Sequence, residues 1–421
     1  MRILIVTHYF PPETGAPQAR LSALAATWAA DGDDVTVLTG MPNHPTGVLP
    51  SSYRRAVLRR ELADGYRVVR TWLYATPNEG IVRKTLGHLS FMASSVLLGW
   101  RASGPADVVV VSSPTFFSIL SGWLLARLKR ARFVVEIRDL WPAIFVELGV
   151  LTNRRVIWLL ERLELAAYAA ADQVVVVSEG FRADLIRRGV PEAKVHAIRN
   201  GVDPGRFTPG TAASPEVRAR LGAGPGDCLV LYAGTHGISQ ALPAIADAAA
   251  LLDGAIRDRP HSRGEAIRFA FVGDGADKQR LERRIAELGL RNVVLLPGVP
   301  SAEMPELLAA ADVCLVPLRR VPLFATFIPS KMFEYLAAGK AVIGSVTGEA
   351  ARILAEASAV VVPPEDSGSL AAAIAALAAD PQLRAAMGQA GRAFAERCCD
   401  RAELAREYRK ILELQRPGAG R

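Results

Sequence analysis

Arg2-Ile3-Leu4-Ile5-Val6-Thr7, then a proline- and glycine-rich turn from Pro11 to Pro17, then Leu21, Leu24, Ala25 and Trp28 at helical spacing up to Gly32: this opening decides the fold class. A short apolar run without alternation is what a strand needs when both of its faces are covered. The turn breaks the chain out of the strand, and the helical spacing carries it back alongside. Val35-Thr36-Val37-Leu38 starts the next strand. The same order recurs in Asp107-Val108-Val109-Val110-Val111, a helical stretch over 116–130, Phe133-Val134-Val135-Glu136-Ile137 and Gln173-Val174-Val175-Val176-Val177. Strands alternating with helices predict a parallel sheet with helices on both faces.

Around 197–227 the pattern gives way to Asn200-Gly201-Val202-Asp203-Pro204 and Pro209-Gly210, the composition of an interdomain linker. Alternation restarts with Leu229-Val230-Leu231-Tyr232, Arg268-Phe269-Ala270-Phe271-Val272, Val293-Val294-Leu295-Leu296, Val313-Cys314-Leu315-Val316, Ala341-Val342-Ile343 and Ala359-Val360-Val361-Val362. A chain of 421 residues is long for one core and comfortable for two. The predicted fold is α/β: two doubly wound, Rossmann-like domains over 1–200 and 201–398 facing across a cleft. A polar helix over 399–421 is free to pack back on the first domain. Ligands of such sheets bind beyond the carboxyl ends of the strands, so the loops after the strands are the informative ones.

Half of the residues are hydrophobic and 22% are charged, a globular composition. Cys228, Cys314, Cys398 and Cys399 lack metal-ligand spacing, Cys228 and Cys314 read as small core residues, and no secretory leader pattern opens the sequence. A reduced, cytoplasmic compartment is therefore expected. The net charge of +8 is uneven: residues 1–200 hold 24 Lys and Arg against 17 Asp and Glu, and residues 201–421 hold 26 against 25. No nucleic-acid module accompanies this basicity, so nucleic acid is not an expected partner. An anionic membrane surface or a phosphate-bearing acceptor fits better. Arg54, Arg55, Arg59, Arg60, Arg67, Arg70, Arg83, Lys84 and Arg101 cluster among only three acids, Glu61, Asp64 and Glu79. The apolar run over 85–100 ends in Trp100 and falls short of the roughly 20 residues of a spanning helix. Two readings stay open for it: a helix lying on the inner face of the cell membrane, or a core helix with solvated arginines at its ends. His44, His88, His196 and His261 show no partner pattern and read as structural or solvent-facing.

The strongest chemical cluster is Phe327-Ile328-Pro329-Ser330-Lys331-Met332-Phe333-Glu334-Tyr335-Leu336-Ala337-Ala338-Gly339-Lys340. Pro329-Ser330 is a helix start, with Ser330 at the N-cap. Lys331 then falls in the first turn and Glu334 on roughly the same face. Free backbone amides, a positive helix end and one full charge suit a diphosphate, and Glu334 can accept hydrogen bonds from ribose hydroxyls. Only 7 of the 50 basic residues are lysine, which makes its use here informative. The bland reading is an amphipathic helix with a solvated Lys–Glu pair.

The run Phe271-Val272-Gly273-Asp274-Gly275, Leu296-Pro297-Gly298-Val299-Pro300, Met304 to Asp312 and Glu334-Tyr335-Leu336-Ala337-Ala338-Gly339 resembles the donor half of family 4 glycosyltransferases of the GT-B fold. His8-Tyr9-Phe10-Pro11-Pro12-Glu13-Thr14-Gly15-Ala16, Glu136-Ile137-Arg138-Asp139-Leu140-Trp141-Pro142 and Ile198-Arg199-Asn200-Gly201-Val202-Asp203 are similar to a subgroup of WbuB-like amino-sugar transferases of bacterial polysaccharide assembly. The resemblance spans nearly the whole chain and is weakest over 43–105. It implies an acceptor-binding first domain, a second domain that binds a nucleotide-sugar, with a UDP-sugar as the expected donor, and a lipid-linked or saccharide acceptor. It implies Glu334 as the second glutamate of a Glu-x7-Glu motif, binding ribose; the first falls on Thr326, a departure. It implies donor contacts at Gly15, Gly234 and Asp274. The loop Gly234-Thr235-His236-Gly237 lacks the family's Arg and Lys, which leaves Lys331 as the diphosphate's cation, with His236 assisting when protonated.

The family retains anomeric configuration. No Asp-x-Asp-like metal pair stands in a donor loop, so the leaving charge falls to Lys331 and backbone amides, with no cofactor. Arg138 and Asp139, after a strand end, are the supporting side chains expected at the acceptor; the alternative is a structural ion pair. A nucleotide-sugar 2-epimerase or hydrolase, or a non-catalytic nucleotide-sugar-binding module, are the competing functions.

Overall fold

In this computed structural model the described residues are 1–44, 46–77, 81–113, 116–207, 214–257 and 266–414. Glu79, His261 and Pro209-Gly210 lie outside them. The chain divides into two compact units, one of Met1–Asn200 with Arg401–Arg421 and one of Gly201–Asp400.

Among the described residues the first unit builds an eight-stranded sheet from β1 (Arg2–Val6), β2 (Asp34–Gly40), β3 (Leu58–Ala63), β4 (Tyr66–Thr71), β5 (Val108–Ser112), β6 (Arg132–Ile137), β7 (Gln173–Val176) and β8 (Val195–Ala197). Their order is β3-β4-β2-β1-β5-β6-β7-β8. Ile3 pairs with Val35 on one side and Val108 on the other, so β1 is central and its apolar run is covered on both faces. Only β3 departs from the parallel arrangement, pairing antiparallel with β4. The Asp64-Gly65 turn between them holds both residues at positive φ, 45° and 83°, as a two-residue hairpin turn requires.

This edge hairpin accounts for much of the basic cluster. Arg70 pairs with Glu61 at 2.7 Å, Arg59 with Glu61 at 3.0 Å and Arg67 with Asp34 at 2.6 Å, so these guanidiniums cross-link the sheet edge. The helix Ile81–Leu97 packs on β2, on β4 and on the helix Phe116–Lys129, with Phe91 and Ser95 fully buried. One face of the apolar run over 85–100 is thus packed in the core, while Leu86, Leu97 and Trp100 stay exposed. No helix among the described residues is long and apolar enough to cross a membrane.

A buried ion pair organises this unit. Arg20 Nε lies 2.8 Å from Glu136 Oε1, and both side chains are almost wholly buried. The other guanidinium nitrogens donate to the carbonyls of Arg199 and Ile198 at 2.8 and 3.0 Å, while Ser112 Oγ donates to Glu136 Oε2 at 2.7 Å. Burial alone would raise the Glu136 carboxyl; the guanidiniums of Arg20 and Arg138 and the Ser112 hydroxyl outweigh it and hold it below its ordinary value. The C-terminal helix Arg401–Glu413 closes the unit against the helix Ala16–Ala30. There Trp28 Nε1 donates to the Ala405 carbonyl at 2.8 Å and Arg409 pairs with Asp33 at 2.6 Å.

Among the described residues the second unit builds a six-stranded parallel sheet of β9 (Cys228–Ala233), β10 (Ile267–Val272), β11 (Val293–Leu296), β12 (Val313–Pro317), β13 (Ala341–Ser345) and β14 (Val360–Val362), in the order β11-β10-β9-β12-β13-β14. This is the doubly wound order with its switch point between β9 and β12. Tyr232, Phe269, Phe271, Leu281, Ile343 and Ile374 share one core.

Removing one partner of the buried pair strands the other charge, at a cost of about 3–5 kcal/mol. Arg20→Ala and Glu136→Ala are therefore each expected to lower the unfolding midpoint of the first unit strongly in urea. The double change Arg20→Met with Glu136→Leu recovers most of that loss.

Candidate active site

The second unit's site is assembled at the end of β9. Tyr232, the penultimate residue of that strand, is buried, and its hydroxyl donates to the Thr235 carbonyl at 2.6 Å. Lys331 Nζ donates to the same hydroxyl at 2.5 Å and lies 3.7 Å from the ring centroid. Lys331 opens the helix Lys331–Ala337, and Tyr335 one turn later fixes that helix to the strand end. The Tyr335 hydroxyl donates to the Ala233 carbonyl at 2.8 Å and accepts from the Ala233 amide at 3.0 Å.

Glycines allow the surrounding backbone to close in. Gly234 has φ 136°, and a Cβ there would stand 2.8 Å from Lys331 Nζ. A Cβ on Gly273 would meet the Gly234 carbonyl oxygen at 1.9 Å. The loops after β9 and β10 are further tied by His236 N to Asp274 O and Asp277 N to His236 O, each 2.9 Å. Asp274 Oδ1 accepts from Lys278 at 2.6 Å and its Oδ2 accepts from the Gly298 amide at 2.7 Å. Lys278 and that amide hold its carboxyl below the usual range.

The charge in this site is singular. Burial lowers Lys331 to a pKa of about 7, with Glu334 opposing the shift. Its ammonium is therefore poised to be held by an incoming anion. Burial, with Lys278 and Lys331 nearby, pushes His236 down to about 4, so the imidazole is neutral and supplies no charge. Both of its buried ring nitrogens lack a partner among the described residues. Ser330 occupies the N-cap position with helical backbone angles, and its side chain makes no capping hydrogen bond. Glu334 lies half-buried three residues after Lys331, and Thr326 Oγ1 donates to the Leu323 carbonyl at 2.8 Å. The structure thus brings Gly234, His236, Asp274 and Lys331 together, with Ser330 and Glu334 on the segment that carries the lysine. Tyr232 and Tyr335 were not singled out in the sequence, because a tyrosine inside a buried strand or helix reads as core.

In the first unit Gly15 stands at the N-cap of the helix Ala16–Ala30. Arg138 Nε donates to the Ser113 carbonyl at 2.9 Å, and no Arg138–Asp139 ion pair forms among the described residues. Asp139 faces a small cavity with Trp141, Pro142, Glu164 and Tyr168. Burial raises its carboxyl above the ordinary value, with Arg138 opposing. His44 and His88 pack against other rings, in keeping with a structural reading. His88 Nδ1 lies 3.5 Å from His8 Nδ1, and the Tyr9 and His44 ring centroids are 5.3 Å apart. Glu13 binds the two loops, accepting from the amides of Phe10, Asn43 and His44 at 3.0, 2.8 and 2.8 Å. His196, bonded to Gln173 at 2.8 Å, is structural.

Comparison with known proteins then settles the family. Residues 15–201 match the glycosyl transferase 4-like domain and residues 214–394 match glycosyl transferases group 1. The chain belongs to the family 4 glycosyltransferases. It is 28% identical over 421 residues to WcaI of Escherichia coli K12, which bears the name of a colanic acid biosynthesis glycosyl transferase; the match covers 97% of this chain and 98% of that one. A GDP-mannose-dependent phosphatidylinositol monomannoside mannosyltransferase of Mycolicibacterium smegmatis is 31% identical over 231 residues, 53% of this chain and 58% of that one. Among solved structures, sucrose-phosphate synthase of Thermosynechococcus elongatus superposes with a TM-score of 0.73 at 21% identity, covering 97% and 98% of the two chains. HepE of Anabaena, solved with UDP and glucose, superposes with a TM-score of 0.70 at 18% identity over 98% and 100%. These likenesses show the GT-B fold. Within this glycosyltransferase, the chemistry-bearing loops of the second unit follow its switch-point strand, where doubly wound sheets bind their ligands.

The close packing at Gly273 gives a test. Gly273→Ala is expected to cost about 1–3 kcal/mol, because its Cβ and the Gly234 carbonyl cannot share the space. Differential scanning calorimetry reads the lower transition, and the nucleotide-induced shift of that transition should disappear with it.

Proposed function

We propose that this glycosyltransferase takes a UDP-sugar as donor and passes the sugar, with retention and without a metal, to a lipid-linked or saccharide-precursor acceptor in polysaccharide assembly. The reading rests on one observation: a single lysine ammonium, Lys331, desolvated against Tyr232 at the end of β9 between glycine loops. HepE was solved with UDP and glucose, and WcaI bears a polysaccharide-assembly name, which supports the donor and acceptor classes.

In this reading the diphosphate lies against Gly234 and Lys331, with Ser330, His236 and Asp274 shaping the loops around it, and Glu334 accepts from the ribose hydroxyls. Gly15 offers its backbone amide to the diphosphate. The bond from the anomeric carbon to the diphosphate oxygen breaks, and the charge left on that oxygen is met by Lys331 and backbone amides already in place. The acceptor hydroxyl oxygen bonds to the anomeric carbon on the face the diphosphate leaves, and its proton passes to a leaving-phosphate oxygen. Arg138 and Asp139 of the first unit position the acceptor. Peripheral attachment to the inner face of a cell membrane brings a lipid-linked acceptor within reach.

Thermal-shift measurements with UDP and GDP, each with and without magnesium, test the donor. UDP is expected to raise the melting temperature equally in both conditions; a response to GDP alone would reassign the base, and no response to either would overturn the reading. Lys331→Ala is expected to lower kcat/KM by about 10²–10³-fold.

The sign of the pH dependence follows from Lys331. A bound diphosphate stabilises its proton, so between pH 7 and 10.5 binding takes up a proton. Affinity for UDP should therefore fall as pH rises through that window, by up to about tenfold per unit. Stability of the free protein should rise over the same window, because the unfolded chain holds the proton more tightly. Isothermal titration calorimetry of wild type and Lys331→Gln checks this; an unchanged slope in the variant would reject Lys331 as the diphosphate's cation.

A further inference from the structure

The helix Arg154–Ala170 turns Glu164 and Tyr168 inward. Its outer surface is unusually apolar: Val156, Trp158, Leu159 and Leu163 are 41%, 58%, 51% and 41% exposed. Val156, Leu159 and Leu163 recur at helical spacing on one stripe. Leu163 lines a groove of about 360 Å³ shared with Leu120, Trp123 and Phe133. The helix Phe116–Lys129 forms the other wall and adds the exposed Leu120 and Leu128.

Cations rim this surface. Arg127, Arg130, Arg154, Arg155 and Arg162 are all exposed, and none makes an ion pair among the described residues. Arg162 lies over the Trp158 ring at 5.4 Å and Arg127 over the Trp123 ring at 5.7 Å. Residues 116–132 contain four Arg and Lys and no acid. Glu161 is the exposed acid of the facing helix.

We infer that this pair of helices is the surface by which the protein docks on an anionic phospholipid membrane, the apolar stripe entering the acyl boundary and the arginines meeting the headgroups. Aromatic and aliphatic side chains beside arginines that carry their charge outward are the chemistry of an in-plane interfacial helix. The 17-residue helix Arg154–Ala170 lies on such a surface and does not cross it. A second copy of the chain is a poorer occupant, because a self-contact would set this arginine rim against itself. The inference rests on the lipid-linked acceptor reading and gives it a location distinct from the 85–100 segment.

Flotation with phosphatidylcholine vesicles, with and without phosphatidylglycerol, tests it on the full chain. Wild type should bind only the anionic vesicles, and less at high salt. Trp158→Ser with Leu159→Ser should weaken binding about tenfold or more, as should the charge reversal Arg127→Glu with Arg162→Glu. Circular dichroism and the UDP-induced thermal shift should be unchanged in both, because these side chains are exposed and far in sequence from the donor loops. Leu97→Ser with Trp100→Ser should leave vesicle binding intact. Loss of vesicle binding in that last variant, with retention in the first two, would move docking to the 85–100 segment and overturn the inference. No vesicle binding by wild type that still responds to UDP would overturn it while leaving the transferase reading standing. A concentration-dependent dimer abolished by Trp158→Ser would assign the surface to a second copy instead.

Discussion

The Arg20–Glu136 pair is the contact through which the first unit holds its functional parts in register. Its arginine comes from the helix whose N-cap is Gly15, and its carboxylate comes from the strand that Arg138-Asp139 follow. The remaining guanidinium nitrogens grip the carbonyls of Ile198 and Arg199, where the chain leaves the unit. A charge pair removed from water repays its desolvation only when every polar atom is answered. Here the Ser112 hydroxyl and Arg138 complete the carboxylate's surroundings, so burial fails to neutralise it. The gain is orientation: three segments distant in sequence cannot slide against one another without exposing an unpaired charge to the core.

The second unit solves a different electrostatic problem. Its loops after β9 and β10 bring one desolvated lysine beside a histidine whose ring burial disfavours charging. Packing is what concentrates the charge: Gly234 and Gly273 let two loops approach until only glycine fits, and Tyr232 receives the ammonium. Tyr335 then fixes the helix that delivers Lys331 to this place. A lysine stored against an aromatic ring gives up little when it turns to an anion, since its partner there is a single hydroxyl.

The distribution of basic residues shows how composition misleads when geometry is missing. The densest run of arginines, on β3 and β4, is largely answered by Glu61 and Asp34 and cross-links a sheet edge. Other arginines without an ion pair among the described residues surround an apolar stripe on 154–170. Periodicity reports that a helix has an apolar side, and tertiary packing decides whether anything covers it.

The sequence by itself determined the architecture, because strands covered on both faces must be continuous apolar runs and crossover helices must alternate with them. The runs at 2–7, 107–111, 133–137 and 173–177, and their counterparts in the second half, all became strands of parallel sheets. It also marked Pro329-Ser330 as the start of the helix that carries Lys331 and Glu334, because that pair is a helix-start signal. The hairpin over 58–71 is less legible although Asp64-Gly65 is a turn signal, because Arg59, Arg60, Arg67 and Arg70 interrupt the apolar pattern of its strands. Only the tertiary structure decided the partners: that Lys331 rests on Tyr232, that His88 meets His8, and that Phe91 and Ser95 of the 81–97 helix are buried. Those properties depend on desolvation and on contacts between residues up to a hundred positions apart, and no local pattern of side chains encodes them.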